Sequence, residues 1–340
     1  MSEPEPAAVR PRRRWRRWLP AFFVLGVAVI IVAGVAVYAA TVNTALTSNL
    51  RRGASMPSAS DSEDPSGSND PNDPQDPSGK NRPLNFVLMG SDSRDAGNSG
   101  AGRSDVLIMV HLTADRTHAY VISFPRDMWV DVPGHGKAKI NAAYAYGGTA
   151  LSVQTLQDLT SVKMNHLAVV DFDGFIGLTE ELGGVTIWND FTFETNGMSF
   201  PRGDITISGE EALTFVRERH KLPRGDLDRA ENQRKVVKAI MEKGLSRQVL
   251  TNPARFTAFV GGVARYTTVD DGLTDAAIRK IAVSLRLKPS GIVTLQAPDA
   301  GTGTSSDGQS IVVVDQAKMT ELSKALKDDT VDEYVARHPE

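Results

Sequence analysis

Arg217, Arg219, Arg224, Arg229 and Arg234 crowd into Phe215–Lys235 (FVRERHKLPRGDLDRAENQRK), with Asp226 and Asp228 between them. Arginine presents a planar fork of donors that grips phosphate oxygens two at a time. Arg229 and Gln233 stand four apart, so they share a helix face. A second set lies far upstream, in GSDSR (90–94), GRSD (102–105) and FPRD (124–127). There Asp92 and Asp105, beside Arg94 and Arg103, form a carboxylate pair. Two carboxylates with phosphate oxygens are a common way to hold Mg2+, although each aspartate alone reads equally well as a turn residue. Arg126 closes FPRD, with Asp127 placed to orient it. Arg217 and Arg219 end a helical pattern, where cations also simply complement the helix dipole. Asp226 sits after a Pro-Gly turn. There it can act as a base, hold an arginine or, like Asp228, cap a helix.

The chemistry this inventory excludes is as informative. The chain has no cysteine, so thiolate catalysis, disulfides and cysteine zinc sites are out. It contains no GxSxG, no Walker loop and no HExxH, and its histidines are scattered. Carboxylates and arginines suit electrostatic stabilisation of phosphoryl transfer better than covalent catalysis. The net charge of −3 hides a split. Residues 1–52 hold eight arginines against Glu3 and Glu5, a net +6, which leaves about −9 for the rest. A body this acidic is a poor general binder of nucleic acid, so no nucleic-acid partner is expected.

These residues need elements to position them. LNFVLMG (84–90), SDVLIMVHL (104–112) and HAYVISF (118–124) read as strands. If the first two pair antiparallel, Asp92 and Asp105 converge at one sheet end. If the third runs parallel to the first, Arg126 joins them. Further strands are expected at 166–171, 185–188, 291–297 and 310–315. Helices are expected at 142–146, 149–161, 175–182, 208–219, 229–245, 253–264, 274–285 and 316–326, with a polar loop at 302–309. Mixed strands and helices predict an α/β fold with a central mixed sheet flanked by helices. The apolar runs Phe172–Leu182 and Ile278–Leu287 could hold a lipid tail between helix and sheet, or make an ordinary core.

The N-terminus predicts how this body is moored. Leu19 to Ala40 is an uncharged apolar run of roughly 22 residues, long enough to cross a bilayer. Arg10, Arg12, Arg13, Arg14, Arg16 and Arg17 precede it, which places the N-terminus in the cytoplasm. The expected organisation is a basic cytoplasmic tail over 1–18 and one transmembrane helix over 19–41. A disordered extracellular linker follows over 42–82, then a catalytic domain over 83–340. The stretch SEDPSGSNDPNDPQDPSG has too little apolar content to fold, and such a tether spans on the order of 30 Å.

Several runs carry a resemblance: GSDSR, GRSDVLIMVHL, SFPRDMWVDVPG, KINAAYAYGG, HLAVVDFDGFIGLTEELGGV and ISGEEALTFVRER with GDLDRAENQ. In order and spacing they resemble the LytR-CpsA-Psr (LCP) family of cell-envelope phosphotransferases, over about residues 84–245. The resemblance implies an LCP-type domain in which an apolar pocket takes a lipid tail. It implies transfer of a glycopolymer from a polyprenyl-pyrophosphate carrier onto peptidoglycan, usually at the muramic acid 6-hydroxyl, through a phosphodiester. Asp92 and Asp105 match the family's metal aspartates, for Mg2+ or Mn2+ in its place. Arg103, Arg126, Arg217 and Arg219 match its pyrophosphate-binding arginines, and Asp226, Arg229 and Gln233 match its later motif. The implied catalytic set is Arg103, Arg126, Arg217, Arg219 and Asp226. Asp228 departs from a common glycine, and Asn232 from a frequent arginine. The polymer stays open among teichoic acid, capsule and arabinogalactan. A polyprenyl-pyrophosphate hydrolase and a non-catalytic envelope-binding or regulatory protein are the alternative readings.

Overall fold

The computed structural model describes residues 44, 49–57, 81–91 and 104–339, with the backbone alone for Asp105. The expected membrane span at 19–41 lies outside the described residues, and among those described no helix is long and apolar enough to cross a membrane. In chain order the unit from Ala45 onward begins with strands β1 (Arg51–Ala54), β2 (Leu84–Ser91), β3 (Ser104–Leu112) and β4 (Ala119–Ser123). A hairpin of β5 (Trp129–Val132) and β6 (Gly136–Lys139) leads to helix α1 (Ala142–Thr160). Strand β7 (His166–Asp171) runs straight into α2 (Phe172–Glu181). Four short strands follow: β8 (Val185–Asn189), β9 (Phe193–Thr195), β10 (Met198–Phe200) and β11 (Gly203–Ile207). Then come α3 (Gly209–Arg217), α4 (Asp226–Gly244), α5 (Arg247–Leu250), α6 (Pro253–Arg265), β12 (Thr268–Asp270) and α7 (Asp275–Ser284). The chain closes with β13 (Ile292–Gln296), β14 (Asp299–Thr304), β15 (Ser310–Val314), α8 (Gln316–Asp328) and α9 (Val331–Arg337).

Seven strands make one mixed sheet in the order β1-β12-β7-β2-β3-β4-β13. Strands β3 and β4 read as continuous apolar runs because both of their faces are covered. On one face Val87, Met89, Met109, Tyr120 and Ile122 pack with Tyr144, Val153 and Leu156 of α1 and with Leu322 and Tyr334 of α8 and α9. On the other, Leu88, Ile108, Val110 and Val121 meet Val237 and Met241 of α4, Leu245 just past its end and Ile281 of α7. The alternation of side chains along each strand thus feeds two helical layers, the expected α/β arrangement.

A third cluster gathers under β8–β11. There Phe193, Phe200 and Phe215 stack with ring centroids 4.9 to 5.8 Å apart, anchoring α3 from below. Phe215 is wholly buried, and truncation to alanine would cost about 3–5 kcal/mol. Helix α2 starts where Asp171 accepts a hydrogen bond from Gly174 N (2.6 Å), an N-cap that turns strand directly into helix. Gly177 lets α2 lie against α6, because a Cβ there would stand 2.5 Å from the Tyr266 ring.

The structure departs from the sequence reading in places. Within the stretch read as linker, Arg51–Ala54 pairs in parallel with β12 as an edge strand. The polar stretch 302–309 is half strand, since β14 pairs with β15 through a Gly-rich backbone rather than through apolar alternation. By contrast, the two helices expected at 142–146 and 149–161 are both there within α1, separated by non-helical backbone at Gly147 and Gly148.

Candidate active site

Strands β2, β7, β4 and β13 all point one way, because β2–β7 and β4–β13 pair in parallel and β3 lies antiparallel between β2 and β4. Their carboxyl ends therefore share one end of the sheet, where ligands of open α/β folds bind. Strand β3 starts at that same end, with Ser91 opposite Ser104. The register passes from Gly90↔Val106 to Ser91↔Ser104, so Asp105 is the extra residue of a bulge. Bulges of this kind interrupt pairing next to active sites. Asp92, Arg94 and Arg103 lie outside the described residues, and of Asp105 the backbone place is what is seen. Ser91 and Ser104, the sequence neighbours of Asp92 and Asp105, face each other at that sheet end.

Beyond β4 the chain turns through Phe124 and Pro125 to Arg126, held by Asn141 N donating to Arg126 O (3.2 Å). Arg126 Nε lies 3.3 Å from Asp226 Oδ1 and 3.7 Å from Asp127 Oδ2. Lys139 Nζ holds the other oxygen of Asp127 at 2.9 Å. Asp226 is the first residue of α4, and Arg229 Nη2, one turn on, lies 2.6 Å from the same Oδ1. Both Asp226 oxygens are removed from solvent. Burial pushes its carboxyl above the ordinary Asp range and Asp127 adds to the rise. Arg229, Arg126 and Arg219 pull the other way without cancelling it. That Arg219 acts on Asp226 puts its charge within reach of the cluster.

Arg217 ends α3 with its guanidinium 4.6 Å above the Phe172 ring. Gln233 Nε2 donates to Val216 O (3.1 Å), which fastens α4 to the end of α3 beside Arg217. The loop between the helices is folded around Glu218. Its Oε1 accepts from the backbone N–H of Arg219 (2.8 Å), His220 (2.6 Å) and Lys221 (3.0 Å). Burial alone would raise the Glu218 pKa, but bonds from Thr195 and from these amides win and lower it.

Arg217 and Gln233, with Asp171 and Thr267, also line a largely apolar cavity of about 250 Å³. Its walls are Leu88, Ile108, Ala168 and Val170 of the sheet, Phe172 and Phe175 of α2, and Val236 and Ile240 of α4. Asp226, Arg229, Gln233, Val236 and Ile240 recur every three or four residues, so one face of α4 passes from charge to grease. A charged head with an apolar tail matches such a face.

Among the expected residues the structure brings Arg126, Asp226 and Arg229 into contact and sets Arg217 and Gln233 at the cavity. Arg224 is turned elsewhere: Asp228 accepts from its backbone N (2.7 Å) and its Nε (2.6 Å), and Glu231 takes its Nη2 at 2.5 Å. Asp228, the departure from a common glycine, thus fixes the turn before Asp226. Sequence reasoning missed Lys139, Glu218 and Phe172 as supports. Lys139 carries no local signal; Phe172 opens the apolar run read as a lipid wall and does line the cavity, but its place under Arg217 was not foreseen, and Glu218 sits between two arginines already singled out.

The LytR_cpsA_psr family model matches residues 50–328. A protein of Enterococcus faecalis named polyisoprenyl-teichoic acid–peptidoglycan teichoic acid transferase TagU is 33% identical over 246 residues, covering 72% of this chain and 79% of that protein. The TagU of Bacillus subtilis strain 168 is 30% identical over 250 residues, covering 73% of this chain and 78% of its own. The crystal structure of B. subtilis TagV superposes with a TM-score of 0.64 at 25% identity, over 74% of this chain and 98% of that one.

Proposed function

The chain belongs to the LytR_cpsA_psr family, and we propose that it moves a glycopolymer from a polyprenyl-pyrophosphate carrier onto peptidoglycan through a phosphodiester bond. The single observation that carries this reading is the Arg126–Asp226–Arg229 cluster, one helical turn from Gln233 at an apolar cavity. Relatives that cover most of the chain are named as teichoic acid transferases acting on peptidoglycan, which supports the donor and acceptor classes.

In this mechanism the polyprenyl tail occupies the apolar cavity. Arg126, Arg217, Arg219 and Arg229, with Arg103, bind the pyrophosphate and offset its charge. Asp226 accepts the proton of the acceptor hydroxyl as its oxygen attacks the glycan-bearing phosphorus. The P–O bond to the lipid phosphate breaks, and polyprenyl phosphate leaves with that electron pair, stabilised by the same guanidinium groups. Gln233 keeps α4 docked so that these groups stay in register. Asp92 and Asp105 would hold a Mg2+ ion, with Mn2+ able to replace it, and that ion would further neutralise the pyrophosphate oxygens. The proposed setting is the outer face of the cell membrane, with one span over 19–41 and a cytoplasmic N-terminus, which rests on the arginine cluster before the apolar run.

The test uses the full chain with a lipid-pyrophosphate-linked glycan, with and without peptidoglycan oligomer, read by mass spectrometry of the products. A glycan–peptidoglycan phosphodiester is expected. Glycan phosphate released into water in both reactions, with no adduct, would instead make the protein a hydrolase. No product in either reaction, with cellular function retained after combined Arg217→Ala and Arg219→Ala, would make it a binding or regulatory scaffold.

A further inference from the structure

The chain enters its main sheet at the end that bears the reaction centre. Strand β1 is parallel to β12, with Arg51 opposite Thr268, and β12 is antiparallel to β7, with Thr268 opposite Val169. Val169 pairs with Met89 of β2, and Met89 with Leu107 of β3. Leu107 O then accepts a hydrogen bond from Phe124 N (2.9 Å). Arg51, Thr268, Val169, Met89, Leu107 and Phe124 thus form one row across the sheet, and Phe124 stands two residues before Arg126. From this row β1 runs toward the amino end of β7, with Ala54 opposite Asp270. The residues just before Arg51 therefore leave the sheet on the side of its carboxyl ends.

Side chains fasten β1 as well as its backbone. Ala54 is buried in the main core and Met56 packs against it. Arg52 Nη2 lies 2.5 Å from Asp275 Oδ1, and Thr149 Oγ1 donates to Ser55 O (2.8 Å). Residues 55–83 then rejoin the sheet at Leu84, the amino end of β2, three strand spacings or about 14 Å across the sheet. Both ends of that stretch are held by the sheet, so it does not set how far the body stands from a membrane. Residues 42–50 alone lie between β1 and the proposed span over 19–41. These nine residues reach at most about 30 Å fully extended, against about 140 Å for the forty-one residues of 42–82.

We propose that β1 moors the body with the carboxyl end of its sheet toward the bilayer, so that this end is the membrane-facing surface and the outer leaflet is its partner. The inference rests on the span proposed above and is independent of the reaction assigned to the site. A lipid with a doubly phosphorylated head keeps that charge at the bilayer surface, because burying it in the apolar interior is costly. The mooring holds the Arg126–Asp226–Arg229 cluster on the side from which such a head arrives. The long polar stretch after β1 becomes a loop at the far end of the sheet instead of the tether.

The test uses the full chain in liposomes with an energy-transfer acceptor on the outer-leaflet headgroups. The chain has no cysteine, so each single variant takes one dye, and an impermeant maleimide labels only bodies outside the vesicle. His220→Cys marks the loop before α4, beside the cluster, and Ser290→Cys marks the turn before β13 at the other end; both positions are exposed. Transfer from position 220 is expected to be at least about twice that from 290, because the nine residues of β3 alone span about 30 Å. Deleting residues 60–79 should leave both signals unchanged, since the nine residues that remain of 55–83 still reach about 30 Å. A Gly-Ser segment of about 20 residues inserted after Thr41 should weaken both. Ala54→Glu puts an unpaired charge into the core and should release β1, bringing the two signals together. Arg52→Glu, beside Asp275, repeats that test at the surface. Equal signals in the unaltered body overturn the proposal. So does stronger transfer from 290, which would set Arg279, Lys280, Arg286 and Lys288 against the headgroups. A shift of both signals on deleting 60–79 overturns it too, by making that stretch the spacer. A chain that fails to float with the liposomes removes the span itself, and the mooring with it.

Discussion

Arg126 and Arg229 close on one oxygen of one carboxylate: their nitrogens lie 3.3 and 2.6 Å from Asp226 Oδ1. Arg126 comes from a turn beyond the central sheet and Arg229 from the first turn of α4. The carboxylate holds two like charges together before any substrate arrives. An arriving pyrophosphate can take over part of its task, since phosphate oxygens suit the same guanidinium forks. Asp226 would then be freed to handle a proton, which links substrate binding to activation of the acceptor.

The pH dependence follows from that environment. Burial holds the Asp226 pKa above its ordinary value of 3.8. A base must be ionised, so transfer should be lost as pH falls through this raised pKa. The acid limb of kcat/KM is expected above pH 3.8. Asp226→Asn should lower kcat about 10²–10⁴-fold and abolish that limb. A pH–rate series on both proteins checks this, and an unaltered limb in the variant would assign it to another group.

Arg217 and Phe172 should separate charge from placement. Arg217→Ala removes a proposed phosphate ligand and is expected to raise the donor KM and lower kcat. Phe172→Leu leaves the charge but removes the ring beneath it, a contact worth about 0.5–1 kcal/mol. Its effect should be a donor KM shift of about two- to fivefold with kcat nearly kept. Steady-state kinetics with varied donor measures both.

How much of this was legible in the chain depends on what each feature leaves in sequence. Buried strands such as Ser104–Leu112 announce themselves as apolar runs, and the antiparallel β2–β3 pairing that sets Ser91 opposite Ser104 follows from their order. Three-residue strands such as Phe193–Thr195 are too short for any periodicity, and α9, at seven residues, barely makes two turns. The arginines and Asp226 stand out because charged residues interrupt amphipathic patterns. Lys139 on Asp127 and Arg234 on Ser123 do not, because each pair is joined by folding alone. The breadth of the sheet is likewise hidden, since β1 and β13 reach it from distant parts of the chain.

Glu218 should matter for stability rather than chemistry. Its depressed pKa means that its contribution is present above the ordinary Glu value of 4.5 and fades as pH falls through the lower folded value. Glu218→Ala leaves three backbone donors without this acceptor and should cost about 2 kcal/mol at neutral pH. Urea denaturation at pH 7 and at pH 3 checks the sign. The gap between wild type and variant should narrow in acid.

The last expectation concerns the lipid. Ala168 of β7 lines the sheet wall of the cavity, which Val236 and Ile240 of α4 also line. Phenylalanine there adds several heavy atoms to a space of about 250 Å³. A long polyprenyl donor would then have to leave part of its tail in water, at roughly 0.8 kcal/mol per exposed methylene. A donor with one or two isoprene units need not enter so deeply. Ala168→Phe should therefore weaken long-chain donors at least tenfold and short-chain donors little, with kcat for the short donor preserved. Equal weakening of both would mean that the substitution disturbed the arginine cluster through α4 instead. Equal tolerance of both would place the tail outside this cavity, and the face of α4 from Asp226 to Ile240 would lose its meaning as a path from head group to tail.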